Sequence, residues 1–292
     1  MPHKPPIIDE LISVCCLKDI ETWGITSSFV VSNIKAHNYK VVVPDHEIAS
    51  FKETTPPEFE VIGESKYTNQ FKDKLLRLLP KSKKDQFGWY LQQFIKLLAI
   101  RDGKPNDVAL IWDADTAPIA KIEFIHSDGK LKYYKSTEHH QPYFDTIDKL
   151  LSLDKKVDFS FIAQCFPVKV EWLNEFCDEI EANSKMPWID AILSQIDFNE
   201  GNGFSEYETL GTFISHRHPN AVIYIDRPWW RLGNTLLNHV TFLNKKKAQE
   251  LSSQYDFISF EKWERAKPYF LKVTIPYFFK IYIPKKLKWI FF

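Results

Sequence analysis

The stretch Val108-Ala109-Leu110-Ile111-Trp112-Asp113-Ala114-Asp115-Thr116 decides the architecture. Its unbroken apolar run, with no polar alternation, describes a strand over 107–112 that is covered on both faces, as in a parallel sheet of an α/β protein. Upstream, Leu11 to Leu17, Tyr39 to Val43 and Phe59 to Ile62 read as shorter strands. Helical patterns lie between them over Glu21 to Ala36, Asp73 to Leu79 and Phe87 to Ile100, with Pro80 and the charged turn Lys81 to Asp85 ahead of the last. Strands alternating with helices predict a Rossmann-like, mixed and mostly parallel sheet flanked by helices.

Downstream, Lys121 to Ile125 and Leu131 to Lys135 flank Ser127-Asp128-Gly129 and read as a β-hairpin. Phe144 to Leu153 and Val170 to Asn183 read as helices, Phe159 to Val168 as extended chain, and Val222 to Ile225 as a short strand. A further helix begins at Glu206, and His216-Arg217-His218 falls in a loop after it. No repeat or long linker interrupts the chain. The expected division is one α/β domain over 1–245 and a C-terminal extension over 246–292.

The 292 residues suffice for a sizeable core. Thirty-eight Lys and Arg balance thirty-eight Asp and Glu, which argues against broad electrostatic binding of nucleic acid. Four cysteines without a CxxC pair give neither a disulfide framework nor a zinc site. No leader pattern or membrane-length apolar run is visible, so the expected location is cytoplasmic. From Lys267 to Phe292, however, six Lys and nine aromatics occur without one acidic residue. That composition suits peripheral contact with an anionic membrane, although Pro268, Pro276 and Pro284 interrupt any long helix. The alternative for this segment is a packed element with solvated lysines.

Asp113 and Asp115 follow the buried strand at i, i+2, and ligands of open α/β sheets bind beyond the strands' carboxyl ends. Two neighbouring carboxylates repel unless a cation compensates, and Mn²⁺ or Mg²⁺ can hold such oxygens together with a substrate diphosphate. A simple turn is the competing reading of the same residues. Helical spacing brings Gln92, Gln93 and Lys96 near one another, where they could hydrogen-bond a polar ligand or orient the aspartate loop. Ser205 and Glu208 form a capping-box pattern. Glu206 has no role in that box and is a candidate general base toward an acceptor hydroxyl. His216 is a candidate metal or phosphate ligand.

Taken in order, Lys18-Asp19, Val42-Val43-Pro44-Asp45, Gly88-Trp89-Tyr90-x-Gln92-Gln93-x-x-Lys96, Trp112-Asp113-Ala114-Asp115-Thr116 and Ser205-Glu206-Tyr207-Glu208-Thr209 resemble a bacterial glycosyltransferase-like family of the DUF6492 type, over roughly residues 10 to 245. The resemblance implies a GT-A-like fold and metal-dependent transfer from a nucleotide-sugar donor, with a UDP-sugar favoured. The acceptor would be a hydroxyl of a glycan or lipid-linked saccharide in surface polysaccharide or lipopolysaccharide synthesis. It also implies that Asp113 and Asp115 hold the metal and the donor ribose, that Lys18, Asp19 and Asp45 lie near the nucleoside, and that Glu206 or Glu208 activates the acceptor. A carboxylate base favours inversion, since a retaining mechanism needs none.

Two other readings compete. A sugar nucleotidyltransferase would carry a Gly-rich, Arg-containing phosphate loop, which Cys15-Cys16-Leu17-Lys18-Asp19 lacks. A non-catalytic scaffold at a membrane surface would leave Asp113, Asp115 and Glu206 without a purpose. No GxGxxG or P-loop is present for nicotinamide or kinase chemistry.

Overall fold

Every residue of Val108–Trp112 is buried, as a strand covered on both faces requires. The computed structural model describes residues 7–200 and 202–263. In chain order these form β1 (Ile8–Val14), α1 (Ile20–Asn33), β2 (Ala36–Val43), α2 (Ile48–Thr54), β3 (Phe59–Gly63), α3 (Ser65–Thr68), α4 (Lys72–Leu78), α5 (Phe87–Arg101), β4 (Val108–Trp112) and β5 (Thr116–Pro118). There follow β6 (Leu131–Tyr134), α6 (Gln141–Leu151), β7 (Cys165–Lys169), α7 (Val170–Ser184), α8 (Trp188–Gln195), α9 (Glu206–Arg217), β8 (Val222–Ile225), α10 (Gly233–Leu237), α11 (Lys245–Leu251) and β9 (Phe257–Ser259). The described residues divide into two compact units, one of 7–18, 35–113 and 123–226, the other of 19–34, 114–122 and 227–263.

The first unit is built on a five-stranded sheet of order β3-β2-β1-β4-β7. β1 runs parallel to both β2 and β4, β2 is parallel to β3, and β7 closes the β4 edge antiparallel. The chain steps outward from β1 to β3 and then returns to β4 on the other side of β1. In open α/β sheets, ligands bind beyond the carboxyl ends of the strands at such a reversal of strand order, which here falls between β1 and β4. The Ser13 hydroxyl donates to the Trp112 carbonyl at 2.7 Å, and the Asp113 amide donates to the Gln164 carbonyl at 2.9 Å. The end of β4 is thereby fixed where Asp113 emerges. In α5 the residues Tyr90, Phe94, Leu97 and Ile100 are buried, and the Phe94 ring stacks on Phe204 with centroids 5.5 Å apart.

The second unit pairs β5 antiparallel with β9. Within it Thr26 and Asn33 of α1 donate to the Ala114 and Pro118 carbonyls at 2.6 and 2.7 Å. Ala117, Ile119, Val240, Ile258 and Phe260 form its core, with Ile25 and Phe29 of α1 packed against them. The expected boundary at 245/246 falls at the start of α11, inside this unit. Most of the extension, including Lys267 to Phe292 and the membrane contact expected of it, lies outside the described residues.

Several expectations are corrected. The Asp128-Gly129 turn forms, with Gly129 at φ 86° and the Lys132 amide on the Phe124 carbonyl at 2.9 Å. Lys121 to Ile125 nonetheless makes only isolated bridges, because β6 finds its ladder partner in β8, with which it runs parallel. His216 and Arg217 complete the last turn of α9 instead of a loop. Extended chain over Phe159 to Val168 becomes a strand only from Cys165, after Gln164 takes a left-handed φ of 63°. The helix α8 was not anticipated at all. Among the described residues no helix is long and apolar enough to cross a membrane.

Candidate active site

Four of the expected residues meet at the carboxyl end of β4. Lys96, on the third turn of α5, is 3% exposed. Its ammonium donates to Asp113 Oδ1 at 2.6 Å and to Glu206 Oε1 at 2.8 Å. Gln93, one turn earlier, accepts the Glu206 amide at 3.0 Å through Oε1 and so caps the start of α9 from a neighbouring helix. The Tyr90 hydroxyl, a further turn back, accepts the Gly203 amide at 2.9 Å and steadies the approach to α9. The i, i+3 and i, i+6 spacing on α5 therefore organises a helix more than a hundred residues away.

Tyr207 completes the cluster. Its hydroxyl donates to Asp113 Oδ1 at 2.6 Å and lies 3.3 Å from the Lys96 ammonium, which sits 4.7 Å from the Tyr207 ring centroid. Sequence reasoning did not single this residue out. The available signal was its place beside Glu206 in the first turn of α9.

One cation thus faces two carboxylates among buried groups. Burial works against the Lys96 ammonium, but the Asp113 and Glu206 charges more than offset it and hold its pKa above the ordinary lysine value. Burial dominates at Glu206: with the Asp113 charge adding to it, the carboxyl is raised above its usual range despite the pull of Lys96. Burial and the same two carboxylates push the Tyr207 phenol well up, so it remains a hydrogen-bond donor.

The remaining candidates have surroundings of their own. Glu208 is buried, but its Oε2 accepts the Ser160 hydroxyl at 2.7 Å and the Phe161 amide at 3.1 Å. Lys155 stands 3.3 Å from its other oxygen. The capping box is half formed: Ser205 accepts the Glu208 amide at 3.3 Å, while the Glu208 carboxylate turns to Ser160. Gln92 is half-buried and Lys18 is exposed. Asp45 accepts the Ser65 hydroxyl at 2.6 Å and amide at 3.1 Å, and that hydroxyl bond holds its carboxyl below the ordinary range. In the second unit, Asp19 pairs with Lys262 at 3.0 Å, and Asp115 Oδ1 receives the Ser259 hydroxyl at 3.4 Å.

His216, read from the sequence as a candidate metal or phosphate ligand, stands at the far end of α9. Nine residues separate it from Tyr207 on α9, roughly 13 Å along the helix at about 1.5 Å per residue, and Tyr207 is the residue that touches Asp113. His216 Nε2 instead meets the Asp154 carbonyl at 2.8 Å. Among the described residues no group of three His, Cys, Asp or Glu side chains is placed to hold a metal ion. Cations that travel with nucleotides need only one or two carboxylates, because phosphate oxygens and water complete the shell. By residue type and spacing along the chain, Asp113 and Asp115 fit that lesser requirement, with Asp113 Oδ1 already committed to Lys96 and Tyr207.

The molecule is thus an α/β protein with a carboxylate–lysine cluster at the switch point of a mostly parallel sheet. The chain belongs to the family described as "Family of unknown function (DUF6492)", which matches residues 27–267. No curated protein matches it. Among solved structures, the apo form of mouse xyloside xylosyltransferase 1 is similar at 11% identity and a TM-score of 0.47, covering 88% of this chain and 99% of that one. The galactosyltransferase LgtC, solved with donor and acceptor sugar analogs, is similar at 8% identity and a TM-score of 0.48, covering 96% and 99%. The apo glycosyltransferase GlyE of Streptococcus pneumoniae TIGR4 is similar at 9% identity and a TM-score of 0.39, covering 94% and 64%.

Proposed function

We propose that the protein is a glycosyltransferase that moves a sugar from a nucleotide-sugar donor, a UDP-sugar by preference, to a hydroxyl of a glycan or lipid-linked acceptor. The observation that carries this reading is the position of Asp113, held by Lys96 and Tyr207 where the strand order reverses beside β1. The motif resemblance supports it. Surface polysaccharide or lipopolysaccharide assembly is the process it suits.

In this reading Asp113 and Asp115 would hold Mn²⁺ or Mg²⁺ together with the donor diphosphate, supplying Lewis-acid stabilisation of the departing nucleoside diphosphate. Lys96 fixes the orientation of Asp113 through Oδ1, leaving the second carboxylate oxygen as the one free of the lysine. Glu206 is the acceptor-side base. In an inverting transfer it takes the proton of the acceptor hydroxyl as the new C–O bond forms and the bond to the diphosphate breaks. Its raised pKa suits that task, because a base is most effective when its pKa approaches the working pH. Glu208, committed to Ser160, is not assigned a catalytic role.

The test is a thermal-shift panel of UDP, GDP, CMP and TDP, each with and without Mn²⁺. A metal-dependent rise with one nucleotide, lost in Asp113→Ala and Asp115→Ala, is the expected result. No shift with any nucleotide under either condition overturns the donor assignment and leaves the scaffold reading.

A further inference from the structure

One residue of α5 serves neither the core nor the carboxylate–lysine cluster. Trp89, in the first turn, is half-buried, whereas Tyr90 and Phe94 beside it are fully buried. Its ring lies nearly parallel to that of Tyr143 in α6, with centroids 6.4 Å apart, and edge-on to Tyr90 at 4.8 Å. These contacts hold the indole in place and leave part of it to solvent. Apart from chain neighbours and its own helix backbone, nothing stands within 4 Å of where a Cβ on Gly88 would be, so the turn beside Trp89 is open.

Trp89 is linked to the cluster along the helix. Residues at i, i+3, i+4 and i+7 share one helical face, and Trp89, Gln92, Gln93 and Lys96 have that spacing. Gln93 joins the two ends directly: its Nε2 donates to the Trp89 carbonyl at 3.3 Å, and its Oε1 accepts the Glu206 amide at 3.0 Å. From Trp89 to Lys96 the helix rises about 10 Å, comparable to the length of a disaccharide. Tyr143, which backs the indole, ties in from the other side. Its hydroxyl is hydrogen-bonded to the Asn202 side chain, and burial, then the Glu138 and Glu206 charges, push its phenol up. Tyr143 is therefore within electrostatic reach of Glu206. Gln92, Asn202 and Glu138, all half-buried, supply amide donors and acceptors and one carboxylate, which match hydroxyls and not phosphates.

We infer that Trp89 is the stacking platform of a saccharide site, where the indole carries the apolar C–H face of a pyranose and sets the sugar's hydroxyls toward Glu206. A flat aromatic ring ringed by a few hydrogen-bonding side chains suits a ligand with one apolar face and a polar rim. That this saccharide is the acceptor rests on the glycosyl-transfer reading above; the contact with the sugar does not. A nucleobase would also stack on an indole, and the test separates the two.

The probes are methyl β-D-glucopyranoside, methyl β-D-galactopyranoside and methyl α-D-mannopyranoside, titrated against the full chain by saturation-transfer NMR, together with the nucleotide panel and Mn²⁺ by thermal shift. At least one glycoside is expected to bind the wild type, with the C–H protons of one ring face saturated most strongly. Trp89→Leu keeps an apolar side chain at a half-buried position, and its Kd for that glycoside should rise about tenfold. Trp89→Phe, which keeps a flat ring, should recover part of the loss; if Trp89→Leu does not fold, the smaller rise in Trp89→Phe decides alone. The nucleotide shift should be the same in the wild type and both variants. No glycoside bound by the wild type, or binding that is unchanged in the variants, overturns the inference. A nucleotide shift lost in the variants while glycoside binding stands also overturns it, since the ring then serves a nucleobase. Glycoside binding that depends on Trp89, with no nucleotide shift in the wild type, supports the saccharide site and overturns the transfer reading instead.

Discussion

Lys96 is the residue on which the site turns. A buried ammonium with two carboxylate partners is costly to break from one side, because its removal strands Asp113 and Glu206 without compensation. Lys96→Met is expected to lower the unfolding free energy by about 3–5 kcal/mol in urea denaturation. Tyr207→Phe deletes a hydrogen bond to a charged group and should cost about 1.5–3 kcal/mol in the same measurement. Glu206 gives a pH signature. Its folded pKa is raised above the 4.5 of a free glutamate, so the folded state holds a proton that the unfolded state releases. Its contribution to stability is complete below about pH 4.5 and is lost as pH rises through the folded pKa. Glu206→Gln cannot titrate, so its stability relative to wild type should climb as pH rises from about 4.5. A flat difference across that window would remove the raised pKa from the account.

At the scale of elements, α9 matters most, because its first turn delivers both Glu206 and Tyr207. Its start is held by Ser205 from within and by Gln93 from α5. Ser205→Ala should cost about 1 kcal/mol, the usual loss of an N-cap acceptor, readable as a lower thermal midpoint. The end of β3 is constrained in another way. A Cβ at Gly63 would stand 2.3 Å from Asp45 Oδ1, so Gly63→Ala must displace the carboxylate from Ser65. That variant should be less stable than wild type, and Asp45→Asn should lose part of the same anchorage. The helical face of α5 was legible from its sequence, since apolar residues at 3.6-residue spacing leave Gln93 and Lys96 one turn apart. What those polar groups would touch was not, because the partner lies on α9.

For the molecule as a whole, binding of a nucleotide to the native state alone raises stability by mass action. At a ligand concentration about 100 times Kd the gain is about 2.7 kcal/mol, a shift of roughly 5 °C or more for a chain of this size. Differential scanning fluorimetry with Mn²⁺ and the preferred nucleoside diphosphate measures it directly. The parallel ladder of β1, β2, β3 and β4 was readable from continuous apolar runs. The antiparallel β7 edge and the pairing of β6 with β8 were not.

By itself the sequence determined the alternation of strands and helices, the burial of 108–112 and the placement of Asp113 just past that strand. Those are local properties: side-chain period, β-branched content and chain order suffice to express them. Only the tertiary structure decided that Lys96 spends its charge on Asp113 and Glu206, and that Tyr207 joins them. It likewise turned Glu208 toward Ser160 and His216 toward Asp154. Each of those outcomes depends on which of several polar groups comes within about 3 Å of another after the chain packs. Desolvation then makes every unpaired alternative costly, and no spacing along the chain encodes that competition.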